Sequence, residues 1–202
     1  MTSALTPRDP VNDHLLTPQN CALLVIDYQP IQVTSVASRD RRELVNNIVA
    51  VARIAKLYKL PVVLSTVNVK TGINQPMITE VTDILPGEPI DRTTVNAWED
   101  EDFHAAVKAT GRNKLLICAL WTEVCFCFPV LDAIKENYEV YPIIDPVGGT
   151  SSEAHKLALN RMIQAGAKPV SWVQLICELQ RDWQRKNTAG DFAKILFAVE
   201  GH

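Results

Sequence analysis

Four short, largely apolar runs limit what this chain can fold into more than any other feature: Cys21–Ile26, Pro61–Val67, Leu115–Leu120 and Val140–Ile144. The first stops at Asp27 and the last at Asp145. Runs of this length with little polar alternation suit strands buried on both faces, as in a parallel sheet. Pro61 opens its run, where a strand needs no ladder donor. Between the runs the period changes. Over Arg41–Tyr58, Leu44, Ile48, Val51, Ala52 and Ala55 fall on one helical face. Helices are also expected over Glu99–Thr110 with Gly111 as the stop, from the Cys125 corner to Lys135, and over Ser152–Ala165 before Gly166. Val170-Ser171-Trp172 reads as a further short strand, and Lys70–Thr94 as a long loop with a short helix near 77–83. Strands alternating with amphipathic helices predict an α/β fold built on a doubly wound parallel sheet. Loops as long as 70–94 in a compact domain are usually functional.

The 202 residues suit a single domain. Residues 1–20, with Pro7, Pro10 and Pro18, read as an extended arm; the domain proper is expected over 21–185, and 186–202 as a helical extension. That extension carries an apolar stripe, Phe192, Ile195, Leu196 and Val199, expected to dock on its own domain or on a neighbouring subunit. A net charge of −3 leaves no basic footprint for nucleic acid, and no polybasic run suggests an anionic membrane surface. No apolar stretch is long enough to span a bilayer, and Met1–Pro7 lacks the order of a signal peptide. Of the five cysteines, Cys21, Cys118 and Cys177 lie in apolar segments and read as reduced core thiols of a cytoplasmic protein. Cys125-Phe126-Cys127 is not a CxxC pair, no second pair stands at zinc spacing, and His104 and His155 read as helix-surface residues. Neither a metal nor a cofactor is expected.

Candidate chemistry sits where the strands end. Ligands of open parallel sheets bind outside the carboxyl ends of the strands, at the switch in strand order. Asp27 directly follows the first run, and Cys125 follows the third across the corner Trp121-Thr122-Glu123-Val124. At such a corner, orphan backbone N–H groups and the helix dipole favour negative charge, which is expected to lower the thiol pKa. Pro129 agrees, because a helix tolerates proline only in its opening turn, so this helix should begin close to Cys125. Taken singly, Cys125 is equally a buried small hydrophobe, and Asp27 a turn former. A carboxylate beside a thiol can take its proton and later activate water. A cation must then hold the carboxylate ionised; Arg92, at the end of the long loop, is the best placed, with Lys70 as the other candidate.

Three segments in register carry a resemblance: Ala22–Gln29, Asn96–Phe103 and Trp121–Cys125. Together they resemble the isochorismatase-like cysteine hydrolases, most closely the YcaC-like branch, over about residues 20–185. Arg161–Ala167 and Glu178–Trp183 are of that branch's type too. The resemblance implies a catalytic triad of Asp27, Arg92 and Cys125, although the superfamily usually has Lys in the basic position. Arg cannot release its proton at working pH, so it stabilises charge without shuttling a proton. The Asp and His metal ligands of the nicotinamidase branch are not visible. The resemblance also implies a cis peptide at Leu120–Trp121 that turns the Trp121 N–H toward the site, where with the Cys125 N–H it would form an oxyanion hole. Asn96, Trp98 and Trp121 are expected pocket walls, with core packing an equal reading for Trp98. A ring-built homo-oligomer, an octamer, is the implied assembly. The function expected is hydrolysis of a small amide or related carbonyl compound through an acyl-enzyme. The alternatives are a vinyl-ether hydrolase of isochorismatase type, which has no need of the cysteine, and a non-catalytic oligomeric binding protein on the same fold. A nucleotide-binding Rossmann protein is disfavoured because no glycine-rich turn follows the first strand.

Overall fold

The computed structural model describes residues 9–198. Five parallel strands form one sheet in the order β3-β2-β1-β4-β5: β1 Cys21–Ile26, β2 Val62–Val67, β3 Ile90–Arg92, β4 Lys114–Ala119 and β5 Glu139–Pro142. Every residue of β1 and β4 is buried, as the runs without alternation require of strands covered on both faces. The covering helices are α1 Pro30–Thr34, α2 Arg41–Tyr58, α3 Thr79–Thr82, α4 Glu101–Ala109, α5 Cys127–Lys135, α6 Ser152–Gln164, α7 Trp172–Gln180 and α8 Ala189–Phe197. Helix α2 spans the residues its periodicity marks. Asp40 caps it by accepting from the N–H groups of Arg42 and Glu43, and Lys59 closes it in the left-handed region. Its stripe Leu44, Ile48, Val51, Ala52 and Ala55 is buried.

The chain departs from its sequence-based reading in two places. The 70–94 segment is not wholly loop, because Ile90–Arg92 pairs with β2 as an edge strand. Two of its three residues are charged, which hides it from a hydrophobicity pattern, and both charges are taken up by other segments of the chain. Asp91 accepts from the backbone N–H groups of Val69 and Lys70, and Arg92 turns into the interior. Secondly, Val170 makes only an isolated bridge to Ile143. Ser171 caps a helix by accepting from the Gln174 N–H, so Trp172 opens α7 instead of extending a strand. The turn of α7 buries Leu175, Ile176 and Leu179, and leaves Cys177 exposed, not in the core. The stripe of α8 docks on its own domain, one of the two outcomes expected of it: Phe192 and Ile195 are buried, with α8 packed on α2 and α7. Val199 lies outside the described residues.

Residues 9–20 are docked on the domain. Leu16 is fully buried, its N–H donates to Glu178 Oε2, and its carbonyl accepts from Arg181. Lys114, at the start of β4, is buried and donates from Nζ to the carbonyls of Asp13, His14 and Leu15 at 2.6, 2.8 and 3.2 Å. A buried ammonium persists only with its donors satisfied, and these three acceptors use all of them. Lys114→Met should therefore release this segment. The expected loss is about 2–3 kcal/mol, in the range of hydrogen bonds to a charged group. Limited proteolysis should then cut within residues 9–17, and an unchanged digestion pattern would count against this role.

Candidate active site

The strand order reverses at β1, which has β2 on one side and β4 on the other, so the crevice opens at the carboxyl ends of β1 and β4. The two strands are in register with Ile26 opposite Ala119. Each ends in an unusual piece of backbone. Asp27 continues the ladder by donating its N–H to Ser65 O at 2.9 Å, yet takes a φ of 60°. Asp is among the few residues other than glycine that adopt this left-handed conformation readily. After β4 the peptide Leu120–Trp121 is cis, as the family resemblance implies. A π-turn over Thr122–Phe126 then carries Cys125, with α5 beginning at Cys127 and Pro129 in its first turn.

Asp27 and Arg92 meet with both side chains fully buried. Arg92 Nη1 and Nη2 each donate at 2.7 Å to a separate oxygen of the Asp27 carboxylate, the forked geometry that Lys cannot reproduce. Nη1 also donates to Ser65 Oγ at 3.0 Å and Thr66 O at 3.1 Å, and Nη2 to Val95 O at 3.3 Å. Burial works against the guanidinium charge. The hydrogen bonds and charge of Asp27, with Cys125 and Asp100 adding to them, nevertheless hold Arg92 above its ordinary value. Lys70 is exposed on the loop, its backbone N–H bonded to Asp91. Of the two basic candidates the structure brings Arg92, not Lys70, to Asp27.

Cys125 is buried close enough to Asp27 for the carboxylate to act on its thiol. Burial pushes the thiol pKa well up, the charge and hydrogen bond of Asp27 push it further, and Arg92 and the Trp121 N–H pull the other way. The corner therefore does not lower the thiol pKa as its dipole alone predicts, because desolvation beside a carboxylate outweighs it. The resting sulfur is protonated. The Trp121 indole donates from Nε1 to Gln32 O and Ser35 Oγ, of α1 and its cap.

The other expected pocket walls are occupied with packing. Asn96 caps a 3-10 turn and donates to Asp132. Trp98 is buried, donates from Nε1 to Glu136 and stands edge-on to His104 and Tyr138, so its role is core. His155 is not a free surface residue: it is half-buried, with Nδ1 2.8 Å from Thr122 Oγ1. Sequence reasoning missed Gln29, which is fully buried. Its amide donates to Val67 O and Gln75 O and accepts from the Val67 N–H, fixing the loop after β2. A polar residue two places after a strand-ending Asp was its only signal. Among the described residues no cluster of three or more His, Cys, Asp or Glu side chains is arranged to hold a metal.

A carboxylate, a guanidinium and a thiol near the switch point of a parallel sheet are an arrangement suited to hydrolysis. The Isochorismatase domain family model matches residues 21–174, and the chain belongs to the isochorismatase family of hydrolases. It is 37% identical over 171 residues to the probable hydrolase YcaC of Escherichia coli K12, covering 84% of this chain and 82% of that one. The structure of the E. coli YcaC gene product, described as an octameric hydrolase of unknown specificity, superposes with a TM-score of 0.82 at 34% identity, covering 93% of this chain and 97% of the other. YcaC from Pseudomonas aeruginosa, solved with hexane-2,5-diol and covalent acrylamide, gives a TM-score of 0.81 at 31% identity, covering 93% and 98%. Among the described residues no helix is long and apolar enough to cross a membrane.

Proposed function

We propose that the protein hydrolyses a small amide or related carbonyl compound through an acyl-enzyme on Cys125, with Asp27 as the proton carrier. The observation that carries this reading is that the Asp27 carboxylate, held by the Arg92 fork, lies close enough to the buried Cys125 thiol to act on it electrostatically. The covalent acrylamide found with the similar P. aeruginosa YcaC fits a fold that presents a reactive nucleophile. Because the resting sulfur is protonated, its proton passes to Asp27 as the sulfur attacks, and the S–C bond forms while the carbonyl π pair moves onto oxygen. The Trp121 and Cys125 N–H groups receive that oxyanion, each donor in such a hole being worth about 3–4 kcal/mol. On collapse the C–N bond breaks and Asp27 gives its proton to the departing amine. Asp27 then takes a proton from water, the resulting hydroxide adds to the thioester, and the S–C bond breaks to release the acid. The sulfur recovers its proton from Asp27. Arg92 holds the carboxylate in place and balances charge throughout, without giving up a proton.

The test is turnover of a panel of small amides and N-carbamoyl compounds, run with a chelator present, together with mass spectrometry of the protein during turnover. An acyl adduct on Cys125 that forms and decays is expected. Vinyl-ether hydrolysis without any adduct would favour the isochorismatase-type alternative, and no turnover across the panel would favour a binding protein.

The assembly we infer is a homo-oligomer, an octamer. Its supports are the octameric description of the E. coli relative and the exposed aromatic pair Trp183 and Phe197, which stack 6.4 Å apart at 61% and 50% exposure. A cytoplasmic location is consistent with the five free cysteines. Light scattering at micromolar concentration should return a mass several times 22.5 kDa, and a monomer mass would refute the assembly.

A further inference from the structure

The π-turn that presents Cys125 is held from outside by two side chains that the reaction does not use. Thr122 opens the turn; its N–H donates to Gly148 O at 3.0 Å, and its Oγ1 lies 2.8 Å from His155 Nδ1 on α6. Glu123, next in the turn, accepts at Oε1 from both the N–H and the hydroxyl of Thr150, at 2.9 and 2.6 Å. The segment just before Thr150, Gly148-Gly149, packs against the link between α1 and α2. Gly149 donates to Ser38 Oγ at 2.9 Å and accepts from the Ala37 N–H at 3.0 Å. A Cβ on Gly148 would come within 2.5 Å of Val36 Cγ1, and one on Gly149 would collide with Glu123 Oε2 and stand 3.2 Å from His155.

Stability alone does not account for this arrangement. Glu123 Oε2 is buried and accepts no hydrogen bond among the described residues, which is an unfavourable way to place a carboxylate. Helix α6 already has its own cap, Ser151, which accepts from the Ala154 N–H, so Glu123 and Thr150 are not needed to start it. What the two contacts do fix is the backbone on the amino side of Cys125, and π-turns of this kind are frequent at functional sites.

We propose that Glu123 and His155 are positioning residues for the nucleophile: Glu123 through Thr150, and His155 through Thr122, clamp the turn that carries Cys125 beside Asp27. The proposal rests on the reading of Cys125 as nucleophile. Displacements of about 1 Å at a reacting atom are enough to cost a hundredfold in rate, so a clamp two and three residues from the sulfur carries weight.

The experiment uses acrylamide as the probe, in a Cys177→Ser background that removes the exposed thiol, with the adduct located by mass spectrometry and its second-order rate measured. Glu123→Ala and His155→Ala should each slow labelling of Cys125 by about tenfold or more, a misplacement effect. Glu123→Gln keeps the oxygen that Thr150 bonds, and His155→Asn keeps a polar partner for Thr122. Both should label within about threefold of the background protein, and all four variants should melt within a few degrees of it. Alanine variants that label as fast as the background or faster would overturn the proposal. So would conservative variants as slow as the alanine ones at equal melting temperature. If an alanine variant does not fold, Thr122→Val and Thr150→Val each remove one hydroxyl from the clamp and must give the same slowing. A background protein that leaves Cys125 unlabelled would instead overturn the nucleophile reading, and the positioning proposal with it.

Discussion

Cys125→Ala should abolish turnover while the protein stays folded. The sulfur is the atom that bonds to substrate in the proposed reaction, and removing a nucleophile of this kind leaves only the residual catalysis of binding and oxyanion stabilisation. A loss of at least about a thousandfold is expected. Cys125 contributes little to the core beyond the volume of one sulfur, so the melting temperature should move by no more than a few degrees. Cys127 is the internal control. It lies two residues further on, is buried at the start of α5, and its thiol is pushed up by burial with Arg161 opposing. Cys127→Ala should keep most of the activity. Equal losses in the two variants, measured on any substrate that the panel yields, would refute the assignment.

The second large effect is on stability. Asp27→Ala should destabilise the fold by about 3–5 kcal/mol, because it leaves the Arg92 guanidinium buried with no counter-charge. For a chain of this size that corresponds to a fall of roughly 6–20 °C in melting temperature. Both side chains are fully buried, so solvent screening does not soften the effect. The pair itself need not be a net source of stability, since desolvating two charges offsets most of their attraction. Asp27→Leu combined with Arg92→Met should therefore recover most of the lost stability and remain inactive. Thermal melts of the single and double variants form a cycle that measures the coupling. A melting temperature for Asp27→Ala within a few degrees of the parent would show that the pair is less committed than its geometry implies.

The chain order made the sheet readable and left its edges obscure. β1 and β4 are continuous apolar runs because both faces are covered, and that pattern survives without any knowledge of the partner strands. β3 is the opposite case: Ile90-Asp91-Arg92 is a strand because β2 and Asp27 hold it, and nothing local says so. The contact between Asp27 and Arg92 was foreshadowed by position, each lying at the end of an element, together with the family resemblance. The protonation state of Cys125 was not legible. A sequence shows the corner and its dipole, but the balance between dipole and burial depends on how deeply neighbouring elements cover the sulfur. Trp98 and Asn96 show a related limit: an aromatic or an amide near a site reads alike in sequence whether it faces the crevice, fills the core or caps a turn. The clamp around Gly149 joins residues on three separate elements, and no spacing announces it.

The pairing of β1 with β4 sets Ile26 against Ala119; Asp27, the proposed base, follows one strand directly, and Cys125, the proposed nucleophile, follows the other across its corner. Sliding one strand by a single residue would move its terminus by about 3.3 Å and exchange its inward and outward faces. Both strands are apolar on both faces, so hydrophobicity alone would punish such a slip less than it would in an amphipathic sheet. The polar atoms at the end of the ladder detect it instead: a shifted Asp27 would lose the Arg92 fork, and a shifted corner would carry Cys125 out of reach. The proposed site would thus act as a vernier on the sheet, and catalytic competence in a refolded sample would report how much of the chain has found its correct alignment.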